Sequence, residues 1–233
     1  MSEKPKLKLD WCSHKAAKYA CEHWHYSKCM PVGKLVKIGV WEDDVFIGVV
    51  LFGRGASMYL GRSFNLKQNQ ICELTRIALK GHISNVTKIS SIAISMLKNI
   101  SSKTELIFSF ADSRQKHLGI IYQAGNWIYT GKSPSDKQYL INGKWTHPRS
   151  VGAKFGTRKT EFIEKMGFET RIGMPKHRYL YPLNKKIRKQ IKLLAKPYPK
   201  KINADAHKRD FSDQEDKGGA NPTHPLHLKV SNG

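Results

Sequence analysis

LIFSFADSRQKHLGIIYQAGNWIYTG, residues 106–131, decides the fold class, because it places a strand, a short helix and a second strand in close succession. Its first residues form an apolar, β-prone run whose length suits a buried strand, and Asp112 follows at the carboxyl end of that strand. Apolar residues at helical spacing then surround Tyr122 and end at Gly125-Asn126, a pair suited to the left-handed conformation that ends helices. An extended pattern resumes at Trp127.

This unit brings one carboxylate and one phenol close together in the chain. In an α/β sheet, the groups that reach ligands project from the carboxyl ends of the strands. Two interpretations follow for Asp112 and Tyr122. Either Asp112 caps the turn after its strand and Tyr122 packs in the core, or the two side chains belong to one active site.

Composition limits the classes of protein to consider. The 233 residues suit one domain, or one domain with a tail, and 39% hydrophobic residues suffice for a sizeable core. A net charge of +23 implies a polyanionic partner, with nucleic acid the first candidate and an anionic membrane surface the second. The sequence contains no apolar run of about 18 residues, so we expect no membrane-spanning helix. The amino terminus also lacks the apolar region of a secretory signal, so we expect a cytoplasmic protein.

Cysteines and histidines near the amino terminus raise the question of a metal site. In a cytoplasmic chain, the four cysteines favour free thiols over disulfides. Cys21, His23, His25 and Cys29 are suitable ligands for a transition metal, but their spacing matches no closed zinc motif. A mixed site that joins His25 to a distant carboxylate such as Asp112 stays open, because facial-triad ligands need not be close in sequence.

Residues 13–25 carry the signals of a helix, with Ser13 as its cap. His25 and Tyr26 therefore lie at the carboxyl end of this helix or in the loop after it. The helix dipole there would raise the pKa of a histidine modestly and favour the imidazolium. The alternatives are a solvated His25 with a packed Tyr26, or a functional pair.

Two extended runs in residues 34–53 flank the polar turn 42–44 and predict a β-hairpin. Arg54 follows next to a glycine, where the backbone can approach a phosphate; alternatively, this arginine is solvated. Residues 71–79 predict another strand, which places Glu73 and Arg76 on opposite faces if its pleat is regular. A helix is expected from about residue 85 to residue 98.

A second hairpin is predicted around Asn142-Gly143, which lies between extended residues. Basic and aromatic residues alternate along it and suit a nucleic-acid strand, with cations for phosphates and rings for an unstacked base. These candidate DNA ligands are Lys137, Tyr139, Lys144, Trp145, His147 and Arg149. The alternative is an ordinary solvated hairpin.

The carboxyl-terminal third contains a short helix in residues 157–166, a last strand near residues 176–180 and a basic amphipathic helix in residues 184–195. The outward face of that helix carries the cations Lys185, Lys186, Arg188, Lys189 and Lys192. From about residue 202 the composition becomes polar and rich in Gly, Pro and charge, which predicts a disordered tail. We therefore divide the chain into a catalytic domain at 1–182, its basic helix at 183–201 and a tail at 202–233.

Five blocks of the sequence resemble the Mom family of phage DNA-modification proteins. They are HWHYSKCMP at 23–31, VVLFGRGAS at 49–57, CELTRIAL at 72–79, SFADSRQKHLGIIYQAGNWIYTG at 109–131 and HRYLYPL at 177–183. The resemblance runs from about residue 23 to about residue 201. The segment 120–131 is also similar to the helix–strand segment of the GNAT acyltransferase superfamily. These resemblances imply a single GNAT-like α/β domain, with a mixed, largely antiparallel sheet and helices on both faces.

The Mom resemblance implies that adenine in double-stranded DNA is modified at its exocyclic amine to the carbamoylmethyl form, which protects phage DNA from restriction in the bacterial host. The target base would have to be flipped out of the helix. In this interpretation Asp112 is the general base and Tyr122 is the acid that protonates a leaving group, the role that the GNAT resemblance implies. His25 and Tyr26 would lie at the target base. Arg76 would hold a carboxylate or phosphate of the donor, with Glu73 as its partner or as a second base.

The identity of the donor stays open. The GNAT resemblance places the pyrophosphate of acetyl-CoA, or of a related donor, at the start of the helix near residue 85, where a helix amino terminus favours phosphate. The candidate ligands are Ser84, Asn85, Thr87 and Ser90. The glycine-rich loop of the superfamily is absent from HISNVTK at 82–88. Carbamoylmethylation is also more than acetylation, so an Fe(II) site at His25 and Asp112 is compatible with the chemistry.

Two alternatives remain at this stage. One is a GNAT acetyltransferase that acts on a protein or small molecule, and the other is a DNA-binding protein without catalytic activity. The first predicts coenzyme A binding without dependence on DNA. The second explains the charge but gives Asp112 and Tyr122 no common purpose. The sequence leaves the oligomeric state undetermined.

Overall fold

The structure, a computed structural model, describes residues 4–55, 59–157 and 160–200. In these ranges the strands are β1 Leu7–Trp11, β2 Leu35–Glu42, β3 Val45–Gly53, β4 Ile71–Leu79, β5 Leu106–Ala111, β6 Ile128–Lys132, β7 Lys137–Ile141, β8 Lys144–Thr146, β9 Thr170–Ile172 and β10 His177–Pro182. The α-helices are α1 His14–Trp24, α2 Val86–Ile100, α3 Ile120–Ala124, α4 Pro148–Phe155, α5 Thr160–Lys165 and α6 Lys185–Lys192. Among these described helices, none combines the length and apolar character needed to cross a bilayer.

Seven strands form the main sheet in the order β1-β2-β3-β4-β5-β10-β6. All neighbours in it are antiparallel except β4 and β5, which run parallel. The parallel pairing joins only residues 71–73 to residues 106–108, so β4 and β5 separate towards their carboxyl ends. The result is an opening in the sheet at the edge where ligand-binding groups project.

Helices cover both faces of this sheet. Along β3, Val49 and Leu51 pack with Ala17, Ala20 and Cys21 of α1. Val50 and Phe52 point to the other face and pack with Ile89, Ala93, Ile94 and Leu97 of α2. This alternation follows from the period of two in a strand. The predicted fold class, a mixed and largely antiparallel sheet with helices on both faces, is confirmed.

Local sequence signals explain how several elements begin and turn. The Ser13 hydroxyl accepts a hydrogen bond from the backbone N–H of Ala16 at 3.1 Å and caps α1, as its residue type predicts. Asp43 and Asp44 form the turn between β2 and β3 and both adopt positive φ, a conformation that acidic and amide residues tolerate. Glu42, expected in this turn, instead belongs to β2 and is buried.

A smaller sheet, in the order β8-β7-β9, is inserted in the chain between β6 and β10. Together with α4 and α5 it encloses its own core, formed by Tyr139, Ile141, Val151 and Ile163. The predicted hairpin supplies β7 and β8, whereas β9 and α4 were not predicted. Two side-chain contacts tie the insertion to the segment after Asp112. Ser113 donates a hydrogen bond to the backbone oxygen of Pro175 at 2.7 Å, and Arg114 donates one to Gln138.

The described residues up to Pro199 belong to one compact unit. Helix α6 is part of it, because Ile187 and Ile191 are buried against Phe108 and Leu180 of the main sheet. The predicted tail at 202–233 lies outside the described residues, and the proposed boundaries at 182 and 201 stay a prediction.

Candidate active site

Glu73 and Arg76 lie on β4 where it separates from β5, and they share one face of the sheet. Glu73 pairs with Gly53 and Arg76 pairs with Leu51, with a register shift between the two pairs. This bulge adds one residue to β4, so the side chains three positions apart point the same way. The prediction that they lie on opposite faces is wrong, because it assumed a regular pleat.

Helix α3 places Tyr122 beside this opening. The Tyr122 ring packs against the rings of Trp127 and Tyr179, with centroid distances of 5.1 Å to each. Gly119, at positive φ just before the helix, permits this packing because a Cβ there would overlap the Tyr179 ring. The phenol oxygen lies 2.7 Å from the hydroxyl of Ser109 on β5. Burial raises the pKa of Tyr122, and the Ser109 hydrogen bond opposes that rise.

Asp112 follows β5, and the structure confirms that it caps the turn after its strand; its place in an active site stays a prediction. Its Oδ1 accepts a hydrogen bond from the backbone N–H of Arg114 at 3.0 Å and caps a short 3₁₀ helix, Ser113–Gln115. Its carboxylate also lies beside the phenol of Tyr26. Burial raises the pKa of Tyr26 to about 12, and the charge of Asp112 adds to this effect. The structure thus joins the loop after α1 to the end of β5.

His25 is a neutral imidazole in this site. Its Nδ1 accepts a hydrogen bond from the backbone N–H of Ser27 at 3.1 Å, so the ring hydrogen is on Nε2. Burial lowers the pKa of His25 to about 3, and the neighbouring cations Arg76 and Lys28, together with the His117 ring, lower it further. The expectation of an imidazolium is wrong, because desolvation and these cations outweigh a modest helix dipole.

Arg76 connects these groups. Its Nη1 donates to the backbone oxygen of Thr75 at 2.7 Å. Its Nε is buried without a hydrogen-bond partner, and no other side-chain nitrogen or oxygen of the described residues is in that state. Its charge lowers the pKa of His25 and opposes the rise at Tyr26 and Tyr122. A buried donor without a partner is costly, so Arg76 is suited to bind an anion here.

Two residues of the site were missed by the sequence interpretation. The His117 ring meets the Tyr26 ring edge to face at 5.1 Å, and the His117 backbone N–H donates to the backbone oxygen of Asp112 at 3.2 Å. Ser109 bonds to Tyr122 from within β5. A signal existed for Ser109, since it is a polar residue inside an apolar strand. His117 carried no signal, because it lies in a loop without periodicity.

A comparison with known proteins identifies the family of this chain. The family model of the Mom protein family matches residues 6–200. The chain belongs to the Mom protein family. It is 26% identical to the "Methylcarbamoylase mom" of Escherichia phage Mu, over 83% of this chain and 84% of that protein. The resemblance read from the five sequence blocks is confirmed.

Two solved structures are similar to this chain in fold. One is a putative acetyltransferase from Acinetobacter baylyi ADP1, with a TM-score of 0.44 and 8% identity over 78% of this chain and 95% of that chain. The other is FeeM, an N-acyl amino acid synthase from uncultured soil microbes, with a TM-score of 0.45 and 10% identity over 80% of this chain and 94% of that chain.

The Mom-family chain does not gather a set of metal ligands at His25 and Asp112. In residues 4–55, 59–157 and 160–200, no group of three or more His, Cys, Asp or Glu side chains is placed to hold a metal ion. Nδ1 of His25 is bonded to Ser27, and Oδ1 of Asp112 caps Arg114. The expected Fe(II) site at these two residues therefore lacks a third protein ligand among the described residues and stays a prediction.

The expected phosphate site at the start of α2 is partly filled by the protein itself. The buried carboxylate of Glu42 accepts hydrogen bonds from the backbone N–H groups of Ile83, at 3.0 Å, and Ser84, at 2.6 Å. These hydrogen bonds lower the pKa of Glu42 against the opposing effect of burial. The Ser90 hydroxyl donates to the backbone oxygen of Thr87 at 3.0 Å, and Asn85 makes no side-chain capping bond. Glu42 thus already occupies two backbone N–H groups ahead of α2, and the expected phosphate ligands Ser84, Asn85, Thr87 and Ser90 stay a prediction.

The candidate DNA ligands differ in their accessibility. On α6, all five predicted cations are exposed: Lys185, Lys186, Arg188, Lys189 and Lys192. Arg54, at the end of β3, and Lys144, at the hairpin, are exposed as well. Arg149 lies on α4, and its side chain is outside what the structure describes.

The rings of the hairpin are less available than predicted. Tyr139 is 2% exposed in the core of the insertion, so its expected contact with a base is wrong. One face of Trp145 is covered by the guanidinium of Arg171, which lies 4.1 Å from the ring centroid. Lys137 forms an ion pair with Glu164. The hairpin therefore offers Lys144 and the outer side of Trp145 to a partner.

Proposed function

We propose that this protein is a DNA-modifying transferase that converts adenine in double-stranded DNA to N6-carbamoylmethyladenine and so protects phage DNA from host restriction. The observation that carries the proposal is the convergence of His25, Tyr26, Arg76, Asp112 and Tyr122 at the opening between β4 and β5. Membership of the Mom family and the similarity to the methylcarbamoylase of phage Mu support it.

Asp112 is the general base that activates the adenine amine. The amine is a poor nucleophile because its lone pair is delocalised into the ring, so a carboxylate that accepts its proton lowers the barrier. The Tyr26 ring is 44% exposed beside Asp112 and offers a stacking surface for a flipped base. Neutral His25 donates a hydrogen bond through Nε2 to an acceptor on the base.

Arg76 holds the group donor by an anionic part, either a carboxylate or a phosphate. Its buried Nε is preorganised for this role, and its planar donors match an oxyanion. Glu73, on the same face of β4, orients Arg76 or acts as a second base. Tyr122 donates its proton to the atom of the donor that departs. Attack on the carbonyl carbon of an acyl-CoA thioester would give an amide, so we propose a related donor in which the carbamoylmethyl carbon is bonded to the departing atom. The bond from N6 to that carbon forms as the bond to the departing atom breaks, and the donor binds otherwise than through the start of α2.

Binding of duplex DNA precedes this chemistry. The exposed cations of α6 neutralise phosphates, and Arg54 and Lys144 extend the contact. A net charge of +23 fits such a partner. A DNA-binding protein without catalytic activity would have no use for the buried, unpaired Nε of Arg76 next to Tyr122 and Tyr26.

Mass spectrometry of nucleosides from plasmid DNA tests the proposal. DNA from cells that express the protein should contain carbamoylmethyl-deoxyadenosine and should resist endonucleases whose sites contain the modified adenine. Cells that express Asp112→Asn at the same level are the matched negative control. Unmodified deoxyadenosine in DNA from cells with abundant folded protein would refute the proposal and leave the acetyltransferase or DNA-binding alternatives.

A further inference from the structure

Ser109 lies fully buried in β5 and is bonded to Tyr122. We infer that Ser109 is a positioning residue, whose hydroxyl holds the Tyr122 phenol at the opening between β4 and β5 and then stabilises the phenolate when Tyr122 gives up its proton. The inference rests on the proposed function, which assigns proton donation to Tyr122. Its test below does not depend on that activity.

The distances around Ser109 determine which group donates in each of its two hydrogen bonds. The Ser109 Oγ lies 2.9 Å from the backbone oxygen of Leu74 and 2.7 Å from the Tyr122 phenol oxygen. Ser109 has one hydroxyl hydrogen, and a carbonyl oxygen has none to give. Ser109 therefore donates to Leu74, and the Tyr122 phenol donates to Ser109. In the resting enzyme the Tyr122 proton points into the protein.

The position of this bridge is informative. Leu74 is the first residue of β4 after the last residue paired with β5, which is Glu73. Ser109 likewise follows Phe108, the last paired residue of β5. A fully buried hydroxyl in an apolar strand is costly unless it is bonded, and here both of its partners lie at the point of separation. The bridge therefore fixes the phenol at the place where the sheet opens.

When Tyr122 donates its proton, the hydrogen bonds among Tyr122, Ser109 and Leu74 rearrange, and no additional reactant is needed. The Tyr122 hydroxyl first turns its proton from Ser109 to the departing atom of the donor. The O–H bond then breaks, and the departing atom takes the proton. The Ser109 hydrogen then rotates from the Leu74 oxygen to the phenolate oxygen, and the Leu74 carbonyl loses that partner. Asp112 has meanwhile accepted one proton from the amine. Asp112 then releases this proton to solvent, Tyr122 takes up another, and the starting state is restored.

The alternative is that Ser109 only ties β4 to β5. The two roles differ in their effect on the ionisation of Tyr122, because only the first requires Ser109 to donate to the phenolate. A hydrogen bond to the charged form favours that form, so its loss should raise the pKa of the phenol. The tie between strands affects the melting temperature alone.

Fluorine NMR of a ring-fluorinated tyrosine placed at position 122 separates these roles, since ring fluorination brings the phenol titration to lower pH. The full-length protein is titrated with Ser109 and as Ser109→Ala, with no substrate present. We expect the titration midpoint to rise by about one to two pH units in Ser109→Ala, the effect of losing a hydrogen bond to a charged group. An unchanged midpoint would overturn the inference and leave Ser109 as a tie between strands.

Two further variants make the result decisive. Thr104→Val removes the hydrogen bond of another buried hydroxyl, which lies before the amino-terminal end of β5 and bonds to Ser101 at 2.7 Å. It should lower the melting temperature without moving the midpoint. If Ser109→Ala does not fold, Ser109→Cys keeps the volume with a weaker donor and should give a smaller rise. A raised midpoint in a protein that leaves adenine unmodified would sustain the role of Ser109 and refute only the proposed function.

Discussion

At the scale of single residues, Asp112 caps a turn and is also the base that we propose, two roles that the sequence presented as alternatives. One carboxylate oxygen caps the Arg114 N–H, and the group also lies beside the Tyr26 phenol. The amide of Asp112→Asn keeps an oxygen for the cap but does not accept a proton. We expect this variant to melt near the wild-type temperature and to lose about 10²-fold or more in adenine modification, as for a missing general base.

Tyr122→Phe should behave in the same way. It retains the ring packing against Trp127 and Tyr179 and leaves Ser109 bonded to Leu74. If Asp112 and Tyr122 serve one mechanism, the double variant should be scarcely worse than the poorer single one, because groups that act as a unit are non-additive. Melting curves and modified-adenine yields of both singles and the double decide this. Wild-type yield per folded molecule in either single variant would remove that residue from the mechanism.

The ionisation of His25 predicts how stability depends on pH. Its pKa is about 3 in the folded protein and 6.5 in the unfolded chain, so the unfolded state binds more protons between these values. The free energy of unfolding should therefore be unaffected by His25 above about pH 6.5 and should fall as the pH drops towards 3. His25→Gln should reduce that fall.

Urea unfolding of the wild type and His25→Gln across this pH range measures the effect, with the exposed His14→Gln as the matched control. Equal losses of stability in the wild type and His25→Gln would show that His25 is not held neutral by the fold.

At the scale of elements, helix α6 has an apolar face against the main sheet and a basic face towards solvent. Ile187 and Ile191 anchor it to the main sheet, which leaves its cations exposed to solvent. Neutralised phosphates release counterions, so each lysine that contacts a phosphate adds about 0.9 to the slope of log affinity against log salt. We expect Lys185→Gln, Lys186→Gln and Lys189→Gln together to flatten that slope by up to about three.

The matched control changes Lys88, Lys98 and Lys103 to Gln, which removes the same charge from exposed sites on α2 and the turn after it. Fluorescence anisotropy with duplex DNA at several salt concentrations gives the slopes. If both triple variants give the same slope, the contact is a general effect of net charge and not a property of α6.

At the scale of the whole molecule, the described residues up to Pro199 form one compact unit with a continuous main sheet. The segment 202–233 is polar and rich in Gly, Pro and charge, so it has too little apolar surface to extend that core. A chain that ends at residue 201 should unfold cooperatively at the wild-type temperature and modify adenine with the wild-type yield. Loss of cooperative unfolding in this truncated chain would contradict the prediction.

The elements that could be predicted from the sequence are those whose patterns lie within a few neighbouring residues. Apolar periodicity predicts β4, β5, α2 and α3, and Ser13 predicts the start of α1. These patterns involve residues only a few positions apart, so they can be recognised in the amino-acid sequence. The short β1, β9 and α4 were missed, because two three- or five-residue strands and a helix of eight residues carry too little pattern.

The geometry of the site, by contrast, arises only when the chain folds. The side of the sheet on which Arg76 lies depends on a bulge that its pairing with β3 creates, and the burial of Tyr139 depends on a separate core. His25 is neutral because folding buries it and brings Arg76 beside it. The opening at Ser109 exists because β4 and β5 pair over only three residues. Each of these features arises from residues distant in the chain, whose pairing and desolvation no local pattern encodes.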